Sequence, residues 1–172
     1  MCCRTVSKAE SAKTDIAKRS GLDLTKIHIV QLDLMDLDNV GTFRSRYDAE
    51  PGLAGRPIDM LILNAGIMVP PTRELTKQGL ESQMGTNVVG HFKFAACMYD
   101  LCKAAQSSRV VFVSSVMHKY ARGISDDFTF PKYDKWPIYC QSKLADLTLM
   151  FKLNRLLEQK GVTNVQAFAC HP

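Results

Sequence analysis

The chain has 172 residues, of which 46% are hydrophobic and 23% charged, and a formal net charge of +5. That length suits a single domain spanning residues 1–172 with a sizeable core, and the composition excludes a disordered or low-complexity chain. The 22 Lys and Arg residues are spread from Arg4 to Lys160 without a basic run, which argues for a mildly basic surface rather than a phosphate-tracking nucleic-acid patch.

In chain order, Ser7 to Ser20 reads as a helix, with Ala9, Ala12, Ile16 and Ala17 near one face and Gly21 as its stop. Lys26 to Asp33 reads as a strand. Asp36 is placed to cap a second helix running to about Tyr47, and Pro51-Gly52 and Gly55 then mark a loop. Ile58 to Asn64 (IDMLILN) is a short apolar run of the kind found in a strand covered on both faces. Leu75 to Lys103 is predicted mostly helical, interrupted near Gly85 and Gly90. Arg109 to Ser115 (RVVFVSS) is a second buried strand, rich in β-branched residues. Val116 to Trp136 is a long loop, Ile138 to Lys160 a long helix, and Val162 to Ala169 a last strand. Strands alternating with long helices predict an α/β fold with a doubly wound parallel sheet, three-layered and Rossmann-like. Ligands of such sheets bind at the carboxyl ends of the strands. Asp33, Asn64-Ala65-Gly66, Ser114-Ser115 and His171-Pro172 all follow apolar runs and fall there.

None of the six cysteines forms a CxxC pair, and the four histidines lack zinc-ligand spacing, so no metal site is expected. Reduced thiols and the lack of an apolar stretch of ~20 residues fit a soluble, cytoplasmic chain. An anchor ahead of Met1 would also be compatible.

The chemistry concentrates in Tyr139-Cys140-Gln141-Ser142-Lys143. A tyrosine and a lysine four apart share one helical face. A phenol at its free pKa of about 10 is a poor acid–base catalyst, and a nearby ammonium favours the phenolate. A second such pair, Tyr99 and Lys103, lies inside a helix with no route to a strand end and reads as a surface face. Ser115 ends its strand on the catalytic side, where a hydroxyl could hold a substrate carbonyl. Ser114 is the alternative, because side chains alternate along a strand. Asn64, Ala65 and Gly66 allow close approach of a ligand to the backbone. Asn87 is an asparagine in mid-helix, either solvent-facing or a functional polar group at a kink.

Taken together, LILNAG, TNVVGHF, VVFVSS, YCQSK and the terminal HP occur in the order and rough spacing of the short-chain dehydrogenase/reductase family, and the chain resembles it over essentially its whole length. The resemblance is nearest to the retinol-dehydrogenase and WW-domain-oxidoreductase-like branch. It implies an oxidoreductase moving a hydride between NADP(H), or alternatively NAD(H), and a small carbonyl or alcohol substrate. Tyr139 would be the general acid/base, and Lys143 would favour its ionisation and hold the nicotinamide ribose. Ser115 would orient the substrate oxygen, and Asn87 would hold a relay water. Asn64, Ala65 and Gly66 would pack along the adenosine half, with Asp33 at the adenine. Pro172 is also expected to line the cofactor site. Arg4, after Cys3, is similar to arginines that meet the 2′-phosphate of NADP. Retinoid, steroid and xenobiotic carbonyls all fit, and a homo-oligomer of a longer protein is compatible.

The chain departs from the family at its ends. None of its ten glycines forms GxGxxG or GxxxGxG, so the expected first strand and Gly-rich turn are missing. The chain also stops before the segment that shapes the substrate pocket. The expectation is part of a longer enzyme, inactive by itself. The alternatives are a truncated, inactive interaction module with an exposed sheet edge and, less favoured by the NAG strand end, an epimerase or dehydratase using the same tyrosine–lysine pair.

Overall fold

The computed structural model covers residues 1–172. Its elements are β1 (Cys2–Cys3), α1 (Val6–Ser20), β2 (Val30–Gln31), α2 (Leu37–Gly41), α3 (Phe43–Ala49), β3 (Met60–Leu63), α4 (Ser82–Met84), a π-helical stretch (Gly85–Gly90), α5 (His91–Ala104), β4 (Ser108–Val113), α6 (Lys135–Gln159) and β5 (Val165–Cys170). Every strand pairing is parallel, in two groups: β1 beside β2, and the order β3-β4-β5. The α/β alternation predicted above holds, and the sheet is incomplete relative to a full doubly wound fold.

The boundaries differ in instructive ways. The Lys26–Asp33 strand shrinks to Val30–Gln31, because Leu24–Lys26 forms a 3₁₀ turn capped by the Asp23 carboxylate. The helix predicted from Asp36 to Tyr47 is two short helices meeting at Thr42, although Asp36 caps the first by accepting from the Asp38 and Asn39 N–H groups. Helix does not begin at Leu75; that residue bridges Glu81 in extended form, and Glu81 then caps α4. α6 starts at Lys135, ahead of Pro137. A proline in the first turn costs no internal hydrogen bond, since those N–H groups are free in any helix. Part of the Val116–Trp136 loop is a 3₁₀ turn, Val116–Tyr120.

Alternation along the three-stranded sheet sorts its side chains. Leu61, Leu63, Val110, Phe112, Val165 and Ala167 are buried, in one cluster with Phe94, Met98 and Leu101 of α5 and Leu157 of α6. On the opposite face Met60 is 52%, Ile62 54% and Phe168 42% exposed. The apolar run read as covered on both faces therefore has one covered face in this chain. No helix is long and apolar enough to cross a membrane.

Tyr99, read above as part of a surface face, instead packs partly buried against the core. The π-helical stretch brings Gly90 against the chain after β2. A Cβ there would lie 2.7 Å from the Leu34 carbonyl oxygen, a backbone atom that cannot turn away. Gly90→Ala is expected to destabilise the protein by about 1–3 kcal/mol; a urea unfolding midpoint equal to that of the unmodified protein would contradict this packing.

Candidate functional site

The carboxyl ends of β3 and β4, the start of α6 and the chain end enclose a crevice of about 250 Å³. Asn64, Gly66, Ser115, Tyr139, Lys143 and Pro172 all line it. Residues separated by more than a hundred positions in the sequence thus meet at one strand edge. A second cavity, of about 300 Å³, lies beside it and is lined by Arg4, Asp33, Ala65 and Thr86; Gly66 and Ile67 border both. The two form a row along the carboxyl edge from β1 to β4.

Each side chain is set by its local structure. β4 delivers the Ser114-Ser115 pair, and alternation separates them. The Ser114 hydroxyl is buried and donates to the Lys143 backbone carbonyl at 2.7 Å. Ser115 is half-buried, and its Oγ accepts from the Met117 N–H at 3.3 Å, so it serves the turn while its own proton stays available. Tyr139 and Lys143 sit one turn apart near the start of α6, only 8% and 6% exposed. The Lys143 ammonium donates to the Val113 carbonyl at 2.7 Å and to the Asp146 carboxylate at 3.0 Å.

Asn87 is fully buried in the π-helical stretch, at the interruption predicted near Gly85 and Gly90. Its side chain does not border the crevice. Its Oδ1 accepts from the Ile67 N–H at 2.8 Å, and its Nδ2 donates to the Ile67 carbonyl and the Ser142 hydroxyl, both at 3.0 Å. Asn87 thereby stitches the loop after β3 to α6. Gly66 does not take a left-handed backbone; its missing side chain is what matters. A Cβ there would stand 3.3 Å from Asn87 Oδ1 and 4.0 Å from Lys143 Nζ, intruding where the two cavities join.

At the far end, the Arg4 guanidinium is exposed, and its nearest bonded atom is the Met35 sulfur at 3.9 Å. The Asp33 carboxylate accepts from the Met35 N–H at 2.9 Å. Thr86 places a buried hydroxyl with no protein partner beside this second cavity. An elongated polar ligand bordered by Arg4 at one end and Lys143 at the other fits this lining.

Three residues that the sequence reading passed over complete the surroundings. Ser142 donates to the Tyr139 carbonyl at 2.8 Å. His91 Nδ1 lies 3.1 Å from the Asn87 carbonyl, which requires the ring proton on that nitrogen. Asp146 pairs with Lys143. The spacing of Lys143 and Asp146, three apart on one helix face, was a readable signal.

The family model described as short chain dehydrogenase matches residues 1–172. The chain belongs to that family. Human retinol dehydrogenase 13 is 34% identical over 174 residues, covering all of this chain and 50% of the relative. The chain spans about half the length of the curated relatives it matches. Among solved structures, an uncharacterised protein from Mycobacterium paratuberculosis aligns with a TM-score of 0.78 at 35% identity, over 100% of this chain and 57% of that one. A short chain dehydrogenase from Shigella flexneri, complexed with NADP, aligns with a TM-score of 0.71 at 20% identity, over 99% and 64% respectively.

Two buried groups near the crevice are shifted in opposite senses. Burial pushes the Asp146 carboxyl up to about 6, against the pull of the Lys143 ammonium. Burial pulls His91 down to about 4, helped by the charge of Lys143 and opposed by the hydrogen bond to Asn87. A raised carboxyl contributes stability below its unfolded value near 4 and loses it as pH rises through 6. A depressed histidine contributes stability above about 6.5 and loses it as pH falls toward 4. Each change is worth about 3 kcal/mol, so the two largely cancel between pH 4 and 6.5. Asp146→Asn removes one side of the balance. Its unfolding free energy relative to the unmodified protein is expected to grow by about 3 kcal/mol from pH 4 to 7. Parallel pH dependences in urea titrations of the two proteins would refute the assignment.

Proposed function

We propose that this crevice carries out reversible hydride exchange between NADP(H) and a carbonyl or alcohol substrate, with Tyr139 handling the proton. The observation that carries the reading is the meeting of Ser115, Tyr139 and Lys143 in one crevice at the carboxyl edge of a parallel sheet. The nicotinamide cofactor supplies the hydride when bound. What the chain contributes is position and charge. The Ser115 hydroxyl, with its proton free, donates to the substrate carbonyl oxygen. Tyr139 gives its phenolic proton to that oxygen in reduction and takes one back from the alcohol in oxidation. The Lys143 ammonium, one turn away on the same helix, places a fixed positive charge at the crevice. Asn87 contributes by holding the loop after β3 against α6; the relay water expected of it would have to bind at its backbone carbonyl, which already accepts from His91.

Asn64, Ala65 and Gly66 border the path between the cavities, with Asp33 and Arg4 at the adenosine end and Pro172 at the nicotinamide end. Arg4 supports NADP over NAD, because a guanidinium matches phosphate geometry. The NADP complex of the Shigella flexneri relative is in keeping with this choice. The curated relatives named as retinol dehydrogenases support a retinoid or other apolar carbonyl as substrate. They are oxidoreductases and lend no support to an inactive interaction module.

In an enzyme that carries this chain together with the family's Gly-rich turn, Tyr139→Phe is expected to abolish NADPH-dependent carbonyl reduction, by at least about 100-fold, with cofactor affinity retained. Turnover measured across a panel of retinoid, steroid and xenobiotic carbonyls checks it; undiminished turnover would remove the acid–base assignment. Arg4→Ala is expected to weaken NADPH binding at least several-fold and NADH binding little. Equal weakening of both, in fluorescence titrations, would show that Arg4 does not read the 2′-phosphate.

A further inference from the structure

Lys143 reaches the crevice with its charge already engaged. Its ammonium is bound to the Val113 carbonyl and to Asp146 Oδ2, and Asp146 is only 2% exposed. The other carboxylate oxygen, Oδ1, is buried with no hydrogen-bond partner. A buried carboxylate satisfied at one oxygen is costly unless its counter-charge stays fixed. The pair is therefore restrained from both sides: the strand end anchors the lysine, and the lysine is the one partner of the aspartate.

We propose that Asp146 is a positioning residue, which holds the Lys143 ammonium at the end of β4 and tempers the positive charge that Tyr139 experiences. This inference rests on the acid–base role proposed for Tyr139. The raised proton affinity of Asp146 fits the same picture, since protonation would release Lys143 to act with its full charge.

The other charged groups around α6 are directed elsewhere. Glu81 turns its carboxylate onto the N–H groups of α4, and His118 sits against the Ser115 carbonyl. Lys119 and Arg109 are exposed, and β5 carries no charged side chain. His91 is the remaining neighbour, and it feels the charge of Lys143. Lys143 is the one charged group that acts on Asp146.

Asp146→Asn keeps an acceptor for the ammonium and removes the negative charge. In the cofactor-free protein, acylation of Lys143 by acetic anhydride, read by peptide mass spectrometry, is expected to become several-fold faster than in the unmodified protein. In the pH–rate profile for carbonyl reduction, the limb on which activity falls with rising pH is expected to move to lower pH, by about half to one unit. Asp146→Glu, which keeps the charge, should leave that limb in place. Should Asp146→Asn fail to fold, NMR of the unmodified, cofactor-free protein decides instead. The Lys143 side-chain resonances are expected to shift with the same midpoint as the Asp146 carboxyl carbon, and a Lys143 signal indifferent to that titration would overturn the inference. Unchanged acylation and an unmoved limb in Asp146→Asn would do the same while leaving the role of Tyr139 intact. Survival of turnover in Tyr139→Phe would strike that role and leave the labelling result standing.

Discussion

A buried ammonium governs the arrangement of this protein's crevice. Lys143 is almost wholly withdrawn from water, so its charge must be met inside the protein. The Val113 carbonyl and the Asp146 carboxylate meet it; the first bond ties α6 to the end of β4, and the second lies within α6 and holds the ammonium in place. A second tie runs the other way, from the Ser114 hydroxyl to the Lys143 backbone carbonyl. Helix and strand are thus locked in register at the position where Tyr139 and Ser115 border one space. Electrostatic satisfaction and placement of the reactive groups are the same set of contacts.

Asn87 plays the matching part for the other wall. Its amide uses both donors and its acceptor to join Ile67 to Ser142, and Ser142 in turn bonds the Tyr139 carbonyl. The loop after β3, the π-helical stretch and α6 are connected through one side chain. The π-helical stretch brings a residue type with poor helix propensity to this junction. Gly66 keeps open the space that this junction borders. A family defined by an oxidoreductase reaction needs a site rigid in this sense, because hydride and proton transfer both depend on placement.

Much of this was legible in the residues. The apolar runs at 58–64 and 109–115 announced strands of a parallel sheet, and the structure pairs Met60–Leu63 with Arg109–Phe112. Polar residues at strand ends and the tyrosine–lysine pair were read as candidates, and Asn64, Ser115, Tyr139, Lys143 and Pro172 line one crevice. What misled was local hydrogen bonding. The Asp23 carboxylate favours a 3₁₀ turn where a strand was expected, and the bridge between Leu75 and Glu81 delays the helix to Ser82. A short polar side chain that satisfies a nearby N–H can override periodicity, and periodicity does not record it.

Sequence alone determined the family, the alternation of strands and helices, and the tyrosine–lysine pair, because each depends on residue type and spacing along the chain. Tertiary structure decided that the Ser114 hydroxyl is spent on the Lys143 carbonyl while Ser115 only accepts, that Asn87 joins segments rather than lining the cavity, and that Asp146 answers Lys143. Those outcomes depend on which polar groups are shut away from water together. Burial is a property of the packed chain, and no short stretch of residues carries it.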